Sequence, residues 1–530
     1  MKKNFLQYII YIKMAGGLMQ LVAYGAQDVY LTGNPQITFW KVVYRRHTNF
    51  AVESIEQVFN GTGDFGKKVV CQIQRNGDLI TKMYLRVVLP ALASGNAWTT
   101  KVGHAMLKTV ELNIGGTTID KHYGDWMNVW YELARKFAHD RGYDQMIGNT
   151  AELTVPSAGT AAATLYVPLY FFCCRNDGLA LPLIATQYHD TRIEIEFQPL
   201  AQLLCTVGTP GVPAVTLGAC SLFVDYVYLD SEERKKFAQA SHEYLIEQLQ
   251  FTGAESVTSQ SSKFRLNFNH PCKALYWNIQ QNKYTNGNAF LAFNPKDWQA
   301  TKVAATKRAV LAWGSFNSSG VYSSNASGSV RSALNAARPV LADVSNYLAN
   351  DVDNVVLLGD LLSDDLVSST VAQLQVIADT ARSGSGDGAA AADVVVRQWD
   401  NYGVFLNRTV NPVSQVLLQL NGQDRFSRRD GAYFNYVQPW QCHSNTPADG
   451  INMFSFALNP EEHQPSGTCN MSRIDNATLN LDFVTATNVY GPAPSSVSVA
   501  VSSDAKCNIY ATNYNVLRIM SGMAGLAYSN

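Results

Sequence analysis

Apolar and polar residues alternate with a period of two along much of this chain. In residues 110–126 (VELNIGGTTIDKHYGDW), Val110, Leu112 and Ile114 alternate with polar positions, as in a strand with one buried face. Gly115-Gly116 then marks a turn. Similar alternation elsewhere, interrupted by turn residues, predicts many short strands.

This segment has a second version later in the chain. Residues 416–434 (VLLQLNGQDRFSRRDGAYF) show the same alternation, followed by an Asn421-Gly422 turn. Gly431 then stands where Gly124 stood in the first version. One similarity of this kind could arise by chance, so the prediction of a repeat depends on others.

Three further weak similarities occur in the same order along both halves, and together they indicate a duplication. The chain is therefore predicted to contain a duplicated β domain of roughly 200 residues per copy. The similar pairs are residues 55–58 (IEQV) with 246–249 (IEQL), 181–182 with 464–465, each before a strand-like segment, and 226–229 (YVYL) with 514–517 (YNVL).

The spacing of these similarities locates an insertion in the second copy. The offset between copies rises from 191 at the early strands to 306 at the glycine turn, an excess of 115 residues. The excess falls in residues 284–401, which contain Ser- and Gly-rich stretches typical of loops. We predict a large surface loop or small subdomain there. Asn317 and Asn325, both in Asn-x-Ser triplets within it, are candidate glycan acceptors.

Two segments have the pattern of helices rather than strands. In residues 125–140 (DWMNVWYELARKFAHD), Trp126, Trp130, Leu133 and Phe137 fall at helical spacing, which predicts a helix packed on the β framework. Residues 231–239 (SEERKKFAQ) follow Asp230, which together with Ser231 offers N-caps for a short helix between the halves.

The predicted fold class is all-β, with two consecutive antiparallel sandwiches of the jelly-roll kind, short helices and a large loop insertion in the second. Periodicity alone does not separate a jelly roll from another β sandwich. The first sandwich is predicted over residues 14–235 and the second over 236–530. Residues 1–13 are predicted to be an N-terminal extension ahead of a natural start at Met14, because their apolar core is too short for a signal peptide.

Charge and cysteine content limit the function classes. Lys and Arg total 41 against 42 Asp and Glu, so no global field would steer nucleic acid, and we expect no direct nucleic-acid binding. Charged residues make up only 16% of the chain, below a typical ~25%, which suggests a surface covered by partners or glycans. The nine cysteines form no C-x-x-C pair, and the adjacent Cys173 and Cys174 are predicted to be buried thiols, consistent with cytosolic maturation.

The motifs that suggest chemistry are incomplete. Residues 61–68 (GTGDFGKK) match glycine-rich phosphate-binding patterns, but a strand-like segment follows where a helix would be required, so a turn is predicted. His242-Glu243 begins a zinc motif whose second histidine is replaced by Ile246. No catalytic, cofactor or metal site is predicted, and we expect the protein not to be an enzyme.

Blocks of sequence across almost the whole chain resemble one family. Residues 14–50 resemble the N-terminus of major capsid proteins of large icosahedral DNA viruses of eukaryotes, and the chlorella-virus type resembles them most. The similarity continues through RNGDLIT, IDKHYGDW, LALPLIATQYHD, HEYLIEQLQFTG, RLNFNHP, LNGQDRFSRRDGAYFN, QPSGTCNMSRIDNATL and NYNVLRIMSGMAGLAY.

The resemblance implies two consecutive eight-stranded jelly rolls and a homotrimer of pseudo-hexagonal outline that tiles the faces of an icosahedral shell. Expected partners are neighbouring trimers, minor capsid and penton proteins and, indirectly, an internal viral membrane. In this family the loops build outer towers and chlorella-virus members carry glycans, so the insertion would form a tower with possible host-surface contact. The expected location is the outer capsid shell of the virion, after assembly in the host cytoplasm.

Two alternatives remain at this point. A carbohydrate-binding or host-attachment β-sandwich protein, as a paralogue of the capsid fold, would suit the aromatic content of 11% and the Ser- and Asn-rich insertion. An enzyme on a jelly-roll or cupin scaffold would need a histidine-based metal site, which the sequence does not offer.

Overall fold

The computed structural model describes residues 16–35, 39, 45–93, 96–135, 139–150, 153, 159–206, 213–280, 411–484, 501 and 505–528. The predicted extension 1–13, the start at Met14 and the predicted insertion 284–401 lie outside these residues. Asn317 and Asn325 lie outside them as well.

The chain forms two compact units, residues 1–49 and 50–530. In the first unit, the described residues include the short helices α1 (Gly16–Val22) and α2 (Val29–Thr32). Between them, the Asp28 carboxylate accepts a hydrogen bond from the Gly25 backbone N–H at 2.7 Å, which stabilises the turn before α2.

The first half of the larger unit consists of short strands, most of which bury alternate side chains. In β3, for example, Met83, Leu85 and Val87 are buried while the side chains between them are half-buried. The strands, in chain order, are β1 (Phe50–Val58), β2 (Lys68–Gln72), β3 (Leu79–Leu89), β4 (Leu92–Ala93), β5 (Asn96–Trp98), β6 (Leu107–Ile114), β7 (Thr117–His122), β8 (Gly159–Thr160), β9 (Ala163–Pro168), β10 (Leu181–Pro182), β11 (Thr191–Phe197), β12 (Leu204–Thr206) and β13 (Cys220–Leu229).

Two antiparallel sheets dominate this half. Sheet A has the order β1-β13-β3-β10, with β9 also paired to β3, and sheet B has the order β2-β11-β6-β7. Their inner faces share one apolar core, in which Leu85 and Val224 of sheet A join Leu112 and Ile193 of sheet B. Two minor pairs, β12-β5 and β4-β8, extend the framework.

The second half repeats this arrangement. Its two large sheets are sheet C, with the order β14-β24-β17-β21, and sheet D, with the order β16-β23-β18-β19. The strands are β14 (His242–Phe251), β15 (Glu255–Ser256), β16 (Ser261–Arg265), β17 (Pro271–Gln280), β18 (Val413–Leu420), β19 (Gln423–Asp424), β20 (Arg429–Asp430), β21 (Asn452–Ser455), β22 (Cys469–Asn470), β23 (Ala477–Phe483), β24 (Lys506–Met520) and β25 (Met523–Leu526).

Sheets A and C have the same strand order, and so do sheets B and D. In each half the first strand pairs with the last long strand, and that strand pairs in turn with the same early strand. This is the predicted fold class: two consecutive antiparallel jelly rolls, all-β with short helices. The similar pairs in the sequence lie on corresponding strands (β1 with β14 and β13 with β24), except that residues 464–465 lie in a loop before β22 whereas residues 181–182 form β10.

The two glycine turns that suggested the duplication are equivalent two-residue hairpins. Gly115 and Gly116 join β6 to β7 with φ of 59° and 85°, and Asn421 and Gly422 join β18 to β19 with φ of 50° and 80°. Positive φ at both positions is what a type I′ hairpin requires, and Gly and Asn adopt it most readily. The two copies differ in the connection before this hairpin, which spans residues 90–106 in the first and 281–412 in the second, a difference of 115 residues.

Helices occupy the connections between strands. The predicted Asp230 N-cap is confirmed, since its carboxylate accepts a hydrogen bond from the Glu233 N–H at 2.9 Å. The α-helices are α3 (Val102–Ala105), α4 (Gly124–Ala134), α5 (Asp140–Ile147), α6 (Phe172–Arg175), α7 (Leu200–Leu203), α8 (Ser231–Gln239) and α9 (Gln438–Cys442), and a π-helical turn, Tyr433–Val437, leads into α9.

Candidate functional site

The motifs that suggested chemistry have structural roles. Residues 61–67 form a bend at Gly61 and a turn at Phe65-Gly66 that lead into β2, as predicted. His242 lies on β14, and its Nε2 is 2.8 Å from the Phe237 carbonyl oxygen. Across the described ranges, no group of three or more His, Cys, Asp or Glu side chains is arranged to hold a metal ion. In the same part of the chain, no helix is long and apolar enough to cross a membrane.

The described cysteines are free thiols. Cys173 is buried and Cys174 half-buried, with 3.9 Å between their sulfur atoms, so the prediction of buried thiols holds fully for the first only. Burial raises the pKa of Cys71 to about 11, so this thiol stays protonated and unreactive at neutral pH.

Helix α4 packs between the two jelly rolls and contributes to a third apolar cluster outside their cores. It begins at Gly124 because no larger residue fits there: a Cβ atom would lie 2.2 Å from the His104 carbonyl oxygen and 2.4 Å from that of Leu107. Leu107 is the first residue of β6, so the glycine lets the helix begin directly against the strand. The described helix ends at Ala134, and Phe137 lies outside the described residues.

The apolar face of α4 packs on sheet C of the second jelly roll. Trp126 and Trp130 are 1% and 7% exposed. The Trp126 ring centroid lies 5.1 Å from that of Tyr276 on β17 and 5.3 Å from that of Tyr510 on β24. Ring pairs at such distances stabilise the contact beyond the effect of burial alone. The predicted helix is therefore confirmed, and its partner is the other half of the chain.

The half-buried carboxylate of Asp125 fixes the position of α4 on the sheet. Asp125 Oδ2 accepts hydrogen bonds from the Tyr510 hydroxyl at 3.0 Å, from Asn278 Nδ2 at 3.2 Å and from Asn508 Nδ2 at 3.5 Å. Burial, together with the Asp125 charge, raises the pKa of Tyr510 well above its usual value, so the phenol remains a donor. All three donors lie on sheet C, so these hydrogen bonds fix the position of α4 along the strands of that sheet.

Charged side chains complete the junction. Arg175 of the first half lies over the Trp130 ring at 4.6 Å and donates to Glu247 of the second half at 3.0 Å. Lys273 is fully buried and donates to the same carboxylate at 2.5 Å. Burial lowers the pKa of Lys273, and the adjacent Glu247 opposes that shift. A cavity of about 310 Å³ lies beside this network, lined in part by Arg175, Glu247 and His463.

The second jelly roll has its own counterpart of α4, residues 431–442. This segment is continuously helical, including the π turn and α9, and it begins at Gly431 after the equivalent hairpin. A Cβ atom on Gly431 would lie 1.9 Å from the carbonyl oxygen of Val413, the first residue of β18. Each glycine therefore contacts the first residue of the corresponding strand.

This counterpart presents apolar side chains to solvent. Trp440 is 76% exposed, and Tyr436 and Val437 are 44% and 38% exposed. Exposed aromatic side chains grouped on one helix typically mark a contact surface. We call these three residues the second-helix face.

Sheet A also has an outward face that the described chain leaves partly uncovered. The inner strands of sheet C, β17 and β24, are buried on both faces, whereas their equivalents β3 and β13 show mostly alternating burial. On the outward side of sheet A, Tyr84 stacks on Phe223 with 5.2 Å between centroids, and Tyr166 packs edge-on to Tyr84 at 6.1 Å. Tyr166 and Val58 on this side are 40% and 76% exposed. We call these four residues the sheet A face.

Sequence analysis did not find either of these faces. The repeat had already paired Gly431 with Gly124, and extending that pairing by one helix would have indicated residues 431–442. The candidate glycan acceptors Asn317 and Asn325 lie outside the described residues.

Comparison with known proteins gives matches over nearly the whole chain. A model described as "Major capsid protein N-terminus" matches residues 38–230, and one described as "Large eukaryotic DNA virus major capsid protein" matches residues 233–525. The major capsid protein of Phaeocystis pouchetii virus is 46% identical, covering 98% of this chain and 100% of the relative. That of Paramecium bursaria Chlorella virus 1 is 41% identical with the same coverage.

Solved structures agree. The chain matches the capsid protein in a quasi-atomic model of the PBCV-1 virus capsid with a TM-score of 0.62 and 36% identity, covering 93% of this chain and 100% of that one. It matches the Faustovirus major capsid protein with a TM-score of 0.59 over 94% of each chain, at 11% identity, a similarity of fold.

Proposed function

Because the chain belongs to the family of large eukaryotic DNA virus major capsid proteins, and is a structural protein of the icosahedral virion shell, we propose that its working unit is a homotrimer of pseudo-hexagonal outline. Residues 14–235 form the first jelly roll in this proposal and residues 236–530 the second. The 284–401 insertion belongs to the second and forms an outer tower.

The repeated strand order is the observation that supports this proposal. Sheets A and C share one strand order, and sheets B and D share another, so each chain has two similar jelly rolls. Three chains related by a three-fold axis then place six similar jelly rolls around that axis, and such a unit can tile a surface hexagonally with only three-fold symmetry. The low charged fraction, 16%, suits a surface that is largely covered by neighbouring subunits.

The partners follow from that arrangement. Trimers would contact neighbouring trimers across the faces of the shell, minor capsid proteins beneath them and penton proteins at the vertices. An internal viral membrane would be an indirect partner, and assembly would take place in the host cytoplasm. Tower loops on the outside would make any contact with the host surface.

Glycosylation of the tower is part of the same proposal. Asn317 and Asn325 are the candidate acceptors, on the basis of their triplets and the loop-like composition around them. Intact-mass measurement of protein from virions, with Asn317→Gln and Asn325→Gln variants as controls, tests each site. A mass that matches the bare chain would contradict this part of the proposal.

The mass of the purified chain in solution tests the trimer. A particle of about three times the 58.3 kDa chain mass, with a hexagonal outline by negative-stain imaging, is the expected result. A stable monomer would contradict the proposal, and a monomer that binds a sugar resin would favour the carbohydrate-binding alternative.

A further inference from the structure

We propose that the second-helix face of one chain docks on the sheet A face of the next chain, in the way that α4 docks on sheet C within a chain. This inference rests on the proposed homotrimer and identifies the two surfaces that hold it together. Its partner is a second copy of this chain, because the helical segments and the receiving faces of the two halves are equivalent and the residues that differ between them do so in a matched way.

The two helical segments are equivalent in position. Each follows a two-residue hairpin, and each begins at a glycine that packs against the first carbonyl of the preceding long strand. Within the chain, the first segment covers sheet C with Trp126 and Trp130. The second segment offers Tyr436, Val437 and Trp440, which no sheet covers among the described residues.

The two receiving faces are also equivalent. On sheet C, Tyr276 of β17 pairs across the strands with Tyr510 of β24, and Trp126 lies on both rings. On sheet A, Tyr84 of β3 pairs in the same way with Phe223 of β13. In each jelly roll the pair lies on the outward side of the corresponding two strands. Tyr84 and Phe223 therefore occupy the place at which sheet C receives a helix.

The residues that differ between the two contacts change together. Asp125, the residue after Gly124, accepts a hydrogen bond from the Tyr510 hydroxyl. The residue after Gly431 is Ala432, and the equivalent of Tyr510 is Phe223, which has no hydroxyl. A buried aspartate facing phenylalanine would leave a charge without a donor, and a tyrosine facing alanine would lose its acceptor. Asp125 therefore suits sheet C, where Tyr510 supplies a hydroxyl donor, and Ala432 suits sheet A, where Phe223 supplies none.

A neighbouring position on the receiving sheet also differs between the two halves. The equivalent of Asn278, which donates to Asp125 within the chain, is Arg86 on β3. Because Ala432 supplies no carboxylate, Arg86 would be unpaired in the second contact unless sheet A provided a partner. Glu56 on β1 does so, with 3.7 Å between the charged atoms.

The proposed contact is heterologous, because each chain contributes a helix on one side and a sheet on the other. A contact of this kind forms a closed ring when its rotation closes. A ring of three chains contains six jelly rolls, in which first and second jelly rolls would alternate. The helix of each jelly roll would pack on the outward sheet of the next one. Contacts within a chain and between chains would then be variants of one arrangement.

Single substitutions on each face provide the first test. Trp440→Asp and Tyr166→Asp place a charge in the proposed contact, and Val58→Asp is a second variant on the sheet A face. Each should weaken association at least about 30-fold and give monomer at concentrations where the parent chain is a trimer. Tyr188→Asp is the matched control, because Tyr188 is also 76% exposed but lies on neither face.

Mixing the two variants tests the heterologous geometry. A Tyr166→Asp chain keeps its helix and a Trp440→Asp chain keeps its sheet, so a mixture retains one good contact. We expect a dimer of mixed composition that does not grow to a trimer. Native mass spectrometry would detect it, and thermal unfolding of each variant would confirm that the subunit is folded.

The outcomes separate this inference from the proposed function. If the parent chain is not a trimer, the proposed function fails and the inference fails with it. If the parent is a trimer and the folded Trp440→Asp and sheet A variants remain trimers, the surfaces are wrong while the trimer stands. A trimer lost equally in Tyr188→Asp, or a mixture that forms no dimer, would also overturn the inference.

Discussion

Two helical segments that begin in the same way have opposite surroundings. In α4 the apolar face lies against sheet C, and Trp126 is 1% exposed. In residues 431–442, the side chains of Tyr436, Val437 and Trp440 are exposed in the described part of the chain, and Trp440 is 76% exposed. The hairpin, the glycine and the strand before them are alike in both. The difference therefore arises from what is available to cover each helix, and a duplicated domain uses one copy of this surface internally and leaves the other for a partner.

The largest expected effect compares the two tryptophans. Trp126→Ala removes a buried ring between the jelly rolls and should lower the free energy of unfolding by about 3–5 kcal/mol. Trp440→Ala should change the unfolding of the isolated subunit by less than about 0.5 kcal/mol, because the ring is exposed there. Denaturant unfolding at low protein concentration measures both. Equal losses would show that the two helices are not in different surroundings.

The second prediction tests whether the two helix starts are equivalent. Gly124→Ala and Gly431→Ala each push a Cβ atom into a backbone carbonyl, at 2.2 Å and 1.9 Å. Each should cost about 3 kcal/mol, at the upper end of the penalty for overpacking. The same unfolding measurement applies, with Gly142→Ala on α5 as a control, because nothing lies within 4 Å of a Cβ atom there. A large effect at only one of the two glycines would break the equivalence.

The third prediction concerns replacing Asp125 and Tyr510 with alanine and phenylalanine, the residues at the equivalent positions of the proposed contact between chains. Asp125→Ala leaves the Tyr510 hydroxyl and Asn278 Nδ2 without this acceptor, while Asn508 Nδ2 keeps Asn278 Oδ1 at 3.1 Å, and should cost about 2 kcal/mol. Adding Tyr510→Phe reproduces the alanine and phenylalanine of the proposed contact between chains. The double variant should therefore recover part of the loss, which a double-mutant cycle measures. If the stability losses of Asp125→Ala and Tyr510→Phe simply add, the two positions are not coupled, which would argue against a matched difference between the two contacts.

The smallest expected effect is a pH dependence beneath α4. His104 is buried, with Nε2 2.8 Å from the Tyr143 hydroxyl, and burial together with the Lys101 charge lowers its pKa to about 3. Below the ordinary value of 6.5 the unfolded chain binds a proton that the folded chain does not. The free energy of unfolding should therefore fall by about 1.4 kcal/mol per pH unit between about 6.5 and 3.

Unfolding at pH 7 and at pH 5.5 measures this loss. The His104→Gln variant should lose about 1.4 kcal/mol less than the parent over that interval, because glutamine does not titrate. An identical loss in both chains would show that another group is responsible.

The local pattern of the sequence was sufficient to predict a duplicated all-β sandwich, and the family resemblance was needed to specify the jelly roll. Two-residue hairpins and alternating strands are local features, so Gly115-Gly116 and Asn421-Gly422 reveal them without any knowledge of tertiary contacts. The helical spacing of Trp126, Trp130 and Leu133 also correctly predicted a helix. It could not show that sheet C covers this helix, because spacing gives an apolar face and not its partner.

The second-helix face was missed for a different reason. A π-helical turn at Tyr433–Val437 precedes α9, so the segment is not one regular α-helix. Tyr436, Val437 and Trp440 do have helical spacing, at three and four positions, but Pro439 within the same segment argues against a helix when the sequence is considered alone. Comparison of the two copies after Gly431 was the other local signal, and it is a weak one.

The junction at Asp125 has a consequence for synthesis. Its acceptor carboxylate and the Tyr510 hydroxyl are 385 positions apart in the sequence. At roughly 5–20 residues per second, a ribosome needs about 20–80 s to travel that distance. The first jelly roll can be complete on the ribosome for most of this time, with its tryptophan helix uncovered. Newly made chains therefore expose an apolar surface until β17 and β24, the two strands that contact Trp126, have both been made.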